Sequence, residues 1–222
     1  MISTKPTGLP APRVVLLAAG FSARMGKPKA LARVRGRSLI ERTLRVLAPF
    51  AGAPIIIVVP PRASRLRAEL RGHRSILVAN PQRSDGLSSS VRRGLRQARY
   101  EAAVLLVPVD LPYLERRDIA RLISRWRGAR QRVAARRIAA RRIAAPRIAG
   151  RPDAVEAAGP LILPHRLYPS AAGIAGDVGL KALIRHLPAR DVALVSLDSA
   201  AFDVDTAHDL ERVRRHTRLR ES

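Results

Sequence analysis

The sequence predicts an α/β fold, a three-layer α/β/α sandwich around a mostly parallel sheet. Short apolar runs alternate with segments whose apolar residues recur at helical spacing. The runs at Val14 to Leu17 and Pro54 to Val59 lack polar alternation, which is typical of parallel strands covered on both faces. The chain has 222 residues and is 47% hydrophobic, which suffices for one domain with its own core. Consecutive strands then connect through right-handed crossovers.

We expect residues 1–12 to form a flexible N-terminal tail and residues 13–222 to form a single domain. The chain has no cysteine, which excludes disulfides, thiolate metal sites and a cysteine nucleophile. No apolar run approaches the length of a membrane span, and the first residues lack a leader-like apolar region. We therefore predict a cytoplasmic protein with no membrane partner.

The net charge of +25 is typical of proteins that bind nucleic acid. However, the arginines are spread through predicted helices, and only 3% of the residues are aromatic. Both features argue against nucleic acid as the partner. The positive charge instead favours the steering of anionic substrates.

The first predicted strand, Val14 to Leu17, leads into a loop suited to phosphate. The small residues Ala18 to Gly20 let a ligand approach the backbone, whose N–H groups we expect to face an anion, and Gly20 can take a positive φ. Three cations follow, at Arg24, Lys27 and Lys29. Neither the dinucleotide fingerprint nor the P-loop fits, because Lys27 is followed by Pro28. The stretch predicts a polyphosphate site.

Further predicted elements follow in alternation. Ser38 and Glu41 have capping-box spacing and begin a helix that Pro49 ends. One of the late strands can run antiparallel to the others in the sheet. The other predicted elements are a polar helix at 62–72, strands at 75–79, 103–109, 132–138 and 191–197, helices at 87–98 and 119–126, short helices after Pro164 and Gly179, and a last helix capped by Thr206 and Asp209.

Carboxylates and serines supply the other candidate site residues. Asp110 directly follows an apolar strand, where open α/β sheets bind ligands, so it is the best metal-ligand candidate, with a turn aspartate as the alternative. Asp203 and Asp205 alternate along a predicted late strand and therefore point the same way. Ser88 to Ser90 begin a predicted helix, where serine is most often an N-cap.

An irregular segment runs from Gln131 to Arg151. It is a near-perfect five-residue repeat, and five matches neither the strand period nor the helical period. We interpret Arg132 to Ile138 as a strand and about 139–152 as an arginine-rich insertion. The insertion is either a solvated loop or a grip for an anionic acceptor or partner.

The stretch from Leu17 to Lys29 resembles a family signature, L-A-A-G-x-S-x-R-M-G-x-x-K, at every specified position. This is the signature of nucleotidyltransferases that act on the molybdenum cofactor and on small sugar or polyol phosphates. The segments from Gly86 to Leu95 and from Asp203 to Leu210 also resemble motifs of this family. The resemblance implies a Rossmann-like nucleotidyltransferase fold, a nucleoside triphosphate substrate and Mg2+ as the cofactor.

The resemblance also implies roles for individual residues. The catalytic set is Arg24, Lys29 and Asp110. Asp110 and Asp203 are the implied metal ligands, while Asp205 is interpreted as a structural residue that pins the following turn. The implied nucleotide-binding residues are Leu17, Ala18, Ala19, Gly20, Ser22, Arg24, Lys29, Asn80, Ser88, Ser89 and Ser90.

The implied reaction is attack of an acceptor phosphate on the α-phosphorus of a nucleoside triphosphate, with release of pyrophosphate. Ala18-Ala19-Gly20 resembles the cytidylyltransferase branch, so CTP and molybdopterin are the favoured substrates, and a molybdenum hydroxylase is a possible partner. The alternatives are a guanylyltransferase, a cytidylyltransferase for a sugar or polyol phosphate, and a non-catalytic maturation factor for a molybdenum hydroxylase.

Overall fold

A computed structural model describes residues 11–20, 26, 28–137, 159–176, 179–197, 199 and 202–219. The predicted site residues Ser22 and Arg24, the arginine-rich insertion and nearly all of the predicted tail lie outside these residues. The described chain contains a seven-stranded sheet and a separate two-stranded hairpin. Its strands are β1 (Arg13–Leu17), β2 (Arg33–Val34), β3 (Arg37–Ser38), β4 (Ile55–Val59), β5 (Ser75–Ala79), β6 (Ala103–Pro108), β7 (Val133–Arg137), β8 (Leu161–Pro164) and β9 (Val192–Ser196).

The large sheet has the strand order β5-β4-β1-β6-β8-β7-β9. Four neighbouring strands, β5, β4, β1 and β6, run parallel, so their carboxyl ends meet at one edge of the sheet. β8 is antiparallel to both β6 and β7, which confirms the expected antiparallel member. β7 and β9 pair in parallel.

Helices cover both faces of the sheet, which confirms the predicted three-layer sandwich. One apolar cluster packs α1 and α4 against one face, and a second packs α3, α5 and α6 against the other. No helix in the described part of the chain is long and apolar enough to cross a membrane. The helices are α1 (Leu39–Leu47), α2 (Ser64–Glu69), α3 (Leu87–Gln97), α4 (Arg116–Arg127), α5 (Tyr168–Ala172), α6 (Gly179–His186) and α7 (Ala207–Leu219).

The β2–β3 hairpin has no counterpart in the sequence-based prediction. It packs with α7 in a third apolar cluster that contains Val34, Leu39, Val204, Leu210 and Val213. The hairpin leads directly into α1, where Ser38 Oγ accepts a hydrogen bond from the backbone N–H of Glu41 at 3.3 Å. The predicted N-cap of this helix is therefore confirmed.

Gly94 in α3 allows the helix to approach the central strand. A Cβ at this position would lie 2.5 Å from Cγ1 of Val15, a distance that real contacts do not reach. Val15 is itself fully buried in β1. The glycine thus sets how closely α3, which carries the three serines, packs on β1.

Candidate functional site

The candidate site lies where the parallel strands end. Ala18 and Ala19 follow β1 and are buried, while Gly20 is exposed. Among the described residues, no heavy atom lies within 4 Å of the Cβ position at Gly20. The loop is thus accessible where the sequence predicted a ligand.

Two details of that loop differ from expectation. The backbone N–H of Ala18 does not face a ligand, because it donates to the carbonyl of Val58 at 2.9 Å and extends the pairing of β1 with β4. Gly20 does not adopt a positive φ, whereas Gly26 does, at 62°. Leu17 is buried at the end of β1, and its carbonyl accepts from the N–H of Val109 at 3.2 Å.

Lys29 and Asp110 meet at this edge of the sheet. Lys29 begins a single 3-10 turn, Lys29–Leu31, while Asp110 follows β6 by two residues. The Lys29 ammonium lies 3.5 Å from Asp110 Oδ2. Their side chains are 15% and 25% exposed, so this ion pair is shielded from bulk water but can still be reached by a ligand.

The late aspartate segment docks on Asp110 through its backbone. The N–H of Val204 donates to the carbonyl of Asp110 at 2.9 Å, and the Val204 side chain is fully buried. The neighbours Asp203 and Asp205 therefore face the other way from Val204, as their alternation predicted. The predicted strand at this segment is wrong, because residues 202–205 form no strand in the structure.

Asp205 belongs to the ionic cluster, which corrects its predicted role as the residue that pins the turn. Its Oδ1 lies 2.5 Å from the Lys29 ammonium. The turn is instead held by Thr206 and Asp209, whose side chains bond each other's backbone N–H groups as a capping box for α7. Asp209 Oδ2 also accepts from the N–H of Asp205 at 3.2 Å, which fixes the backbone that carries the Asp205 carboxylate.

We define the charged cluster as Lys29, Asp110, Asp203 and Asp205. Burial raises the pKa of Asp110, the Lys29 charge opposes this shift, and the charges of Asp203 and then Asp205 add to it. Two carboxylates, those of Asp110 and Asp205, thus contact the Lys29 ammonium, and the charge of Asp203 acts on Asp110. Carboxylate oxygens are ligands that a divalent cation prefers. No group of three or more His, Cys, Asp or Glu side chains able to hold a metal occurs among the described residues, so a cation here needs further oxygen ligands.

The second predicted subsite lies at the carboxyl end of β5. Asn80 is fully buried and donates from Nδ2 to Ser89 Oγ at 2.8 Å and Ser90 Oγ at 3.0 Å. Its Oδ1 accepts from the N–H of Gln82 at 3.0 Å. The structure therefore brings together Asn80 and two of the predicted serines, two strands away from β1.

The N-cap interpretation of the three serines is wrong. Gly86, with φ of 82°, is the N-cap residue of α3, and no side chain caps this helix. The hydroxyls of Ser88 and Ser89 instead donate back to the carbonyls of Asp85 and Gly86. The serine side chains thus hold the start of α3 in place.

Comparison with known proteins identifies the family. Residues 14–192 match the model of the MobA-like NTP transferase domain. Nicotine blue oxidoreductase of Paenarthrobacter nicotinovorans is 31% identical over 212 residues, which cover 93% of this chain and 98% of that protein. Molybdenum cofactor guanylyltransferase of Rhizobium meliloti is 34% identical over 122 residues, which span 52% of this chain and 55% of that protein.

A solved structure supports the same fold. A nucleotidyl transferase from Methanothermobacter superposes with a TM-score of 0.72 at 22% identity, covering 96% of this chain and 99% of the other. At this identity the likeness shows a shared nucleotidyltransferase fold. Since the family model covers most of the sequence, the chain belongs to the family of MobA-like NTP transferase domains.

Proposed function

We propose that the protein transfers a nucleoside monophosphate, from CTP in preference to other nucleotides, onto a phosphorylated acceptor and releases pyrophosphate. Molybdopterin or the molybdenum cofactor is the favoured acceptor. One observation carries the proposal: Lys29 contacts Asp205 and also Asp110, which lies at the carboxyl ends of the parallel strands. The preference for CTP depends on the Ala18-Ala19-Gly20 sequence and stays a prediction.

Lys29 supplies the positive charge for the reaction. In the structure, its ammonium is held by Asp205 and Asp110. Phosphoryl and nucleotidyl transfers depend mainly on positioning and on neutralising the charge that develops on phosphate oxygens. We therefore assign Lys29 to the triphosphate, with Arg24 of the same signature as a second predicted cation.

The carboxylates suit Mg2+. Asp110 and Asp203 would hold the ion, which binds oxygen ligands and completes its shell with substrate phosphates and water. When bound, Mg2+ would neutralise phosphate charge and orient the triphosphate. The carboxylates of Asp110 and Asp203 support this assignment, because the charge of Asp203 already acts on the Asp110 carboxyl.

The acceptor needs no general base if it attacks through a phosphate oxygen, because such an oxygen is already anionic at neutral pH. The net charge of +25 would draw two anionic substrates together in the cytoplasm. Asn80 and the start of α3 are assigned to the nucleotide base. Asn80 donates hydrogen bonds to the hydroxyls of both Ser89 and Ser90. Since these side chains are already hydrogen-bonded, we expect backbone groups of this subsite to bind the base.

The test is a pyrophosphate-release assay with CTP, GTP, UTP and ATP, each with Mg2+ and with molybdopterin or a sugar phosphate as the acceptor. We expect release with CTP and a pterin acceptor, and loss of release in Asp110→Asn and Asp203→Asn. Arg125→Gln serves as a control, because it removes a charge from an exposed position on α4. A wild-type rate in folded Asp110→Asn would refute the assignment.

The same assay distinguishes two alternative functions. Selective use of GTP would favour a guanylyltransferase, the activity for which the Rhizobium meliloti relative is named. Absence of turnover with every nucleotide, together with capture of a molybdenum hydroxylase, would favour a maturation factor for which the arginine-rich insertion is the docking element.

A second candidate function is oxidoreduction, which the match to nicotine blue oxidoreductase over nearly the full length of both chains favours. It is tested by following the absorbance of nicotine blue in the presence of nicotinamide and flavin electron donors. Reduction of the dye without pyrophosphate release from any nucleotide would replace the transferase proposal.

A further inference from the structure

A cavity outside the charged cluster is lined by three arginines. Its volume is about 320 Å3, and its lining residues are Arg33, Arg35, Gly36 and Arg214, from the β2–β3 hairpin and α7. This volume is near the lower limit of cavities that hold small molecules. No carboxylate lines the cavity in the part of the chain that the structure describes.

Hydrogen bonds hold two of these guanidinium groups in place. Arg33 donates from Nη1 to the carbonyl of Gly36 at 2.5 Å, and its Nη2 lies 3.2 Å from Glu69 Oε2. Arg214 donates from Nε to the carbonyl of Arg33 at 3.1 Å and pairs with Glu211. The two arginines are therefore oriented by their neighbours before any ligand binds.

Arg35 has a backbone conformation that its residue type disfavours. Its φ is 53°, and Gly36 follows with φ of 74°, so both residues at the hairpin tip are left-handed. Two-residue hairpin turns of this kind favour Asn-Gly over Arg-Gly. Residues in such sparsely populated conformations cluster at ligand-binding positions, and the Arg35 side chain lines the cavity.

Arginines crowd the surroundings of Arg35, and Glu69 and Glu211 offset part of this excess of positive charge by pairing with Arg33 and Arg214. Burial, followed by the charges of Arg35 and Arg37, lowers the pKa of Arg42 on α1. The buried Nε of Arg42 has no hydrogen-bond acceptor among the described residues. Glu41 is shared between Arg37 at 3.7 Å and another arginine at 3.2 Å, so it offsets only part of the excess.

We propose that the cavity is a binding site for a phosphoryl anion, held by Arg33, Arg35 and Arg214. Guanidinium groups bind phosphate oxygens in bidentate pairs, and three of them here converge without a lining carboxylate. The ligand is either free inorganic phosphate or the phosphate group of a small phosphomonoester. The site is separate from the nucleotide site proposed above, because none of its lining residues belongs to the charged cluster.

The position of the cavity gives the bound anion a structural consequence. The hairpin begins two residues after the turn that carries Lys29, and α7 begins two residues after Asp205. An anion between hairpin and helix would tie together the segments that bring Lys29 to Asp205. In this proposal, the anion braces the charged cluster.

The test is calorimetric titration of the full chain with inorganic phosphate and, separately, with glycerol phosphate. The variants are Arg35→Asn and Arg214→Gln, with Arg125→Gln as the control that removes one charge elsewhere and Lys29→Met as the control for the nucleotide site. We expect about tenfold weaker binding in each of the first two variants, as for loss of a hydrogen bond to a charged group. Arg125→Gln should bind like the wild type, and Lys29→Met should weaken binding less than either cavity variant.

Arg35→Asn also tests folding, because asparagine suits a left-handed turn position and the variant should melt no lower than the wild type. Tighter binding of glycerol phosphate than of phosphate, with the same variant pattern, would support the phosphomonoester as the ligand. Equal weakening in all four variants would overturn the proposal, since binding would then follow net charge. Loss in Lys29→Met alone, or no binding by the wild type, would also overturn it.

Discussion

Replacing Lys29 with methionine removes the only positive charge of the charged cluster while keeping a side chain of similar length. In the folded protein, the Lys29 ammonium lies 2.5 Å from Asp205 and 3.5 Å from Asp110. The variant leaves both carboxylates and Asp203 without this charge. We expect loss of both activity and stability, by different amounts.

The loss of stability follows from how exposed the partners are. A hydrogen bond to a charged group contributes about 1.5–3 kcal/mol when it is shielded. The Asp205 side chain is 42% exposed, which weakens its contribution through solvent screening, whereas that of Asp110 is 25% exposed. We therefore expect the free energy of unfolding to fall by about 1–2 kcal/mol at neutral pH. Turnover should fall by about 10²–10³-fold, as when one group that stabilises transition-state charge is removed.

The stability loss in Lys29→Met should depend on pH. The pKa of folded Asp110 is already raised, and removal of the neighbouring ammonium raises it further. A carboxyl with a raised folded-state pKa stabilises the fold below its unfolded pKa and loses that contribution as the pH rises through the folded pKa. The difference between wild type and variant should therefore be largest at neutral pH and shrink in acid.

Urea unfolding across the pH range and pyrophosphate release at neutral pH measure these two effects. Arg125→Gln is the control, since it removes one positive charge from an exposed position on α4. Lys29→Arg, which keeps the charge, should retain the wild-type dependence of stability on pH. Wild-type turnover in folded Lys29→Met, or a stability loss that is equal at all pH values, would refute the reasoning.

Three further predictions concern the framework of the site. Gly94→Ala should lower the free energy of unfolding by about 1–3 kcal/mol in urea, because the added methyl group would lie 2.5 Å from Val15 Cγ1; adding Val15→Ala should relieve part of this loss, and a gain in stability would contradict the packing argument. Ser38→Ala should cost about 1 kcal/mol in the same assay through loss of the N-cap of α1, with turnover unchanged. In wild type the raised pKa of Asp110 predicts a loss of stability as the pH rises from 3.8 through the folded value. Asp110→Asn should remove that loss of stability. A lower free energy of unfolding in this variant than in the wild type at neutral pH would contradict the prediction.

Local patterns predicted much of the fold. The unbroken apolar runs gave the strands of the parallel core within one residue at either end, with β5 matching its predicted bounds. Thr206 and Asp209 cap α7 as their spacing indicated. These predictions succeed because strand burial and helix capping depend on residues that are close in sequence.

The elements that the sequence did not predict depend on other parts of the chain. The strands of the β2–β3 hairpin have two residues each and alternate arginine with other residues, so no apolar run marks them. Their turn at Gly36 is the one local signal that could have indicated a hairpin. The three serines were predicted as caps because serine is common there, yet Gly86 takes that position with a positive φ.

The charged cluster shows why a motif predicts residue types better than it predicts their partners. Lys29 and Asp205 are separated by 176 positions, and no local pattern relates them. Their contact depends on three non-local features: the Val204 N–H on the Asp110 carbonyl, the buried Val204 side chain beside the hairpin, and the capping box that fixes the Asp205 backbone. The position of Asp205 before Thr206 favours a turn residue. However, Asp209 bonds the backbone of the turn, and the Asp205 carboxylate pairs with Lys29. The cluster is thus complete only when the segment around Val204 has packed against the hairpin. The position of the Lys29 ammonium therefore depends on the stability of that contact.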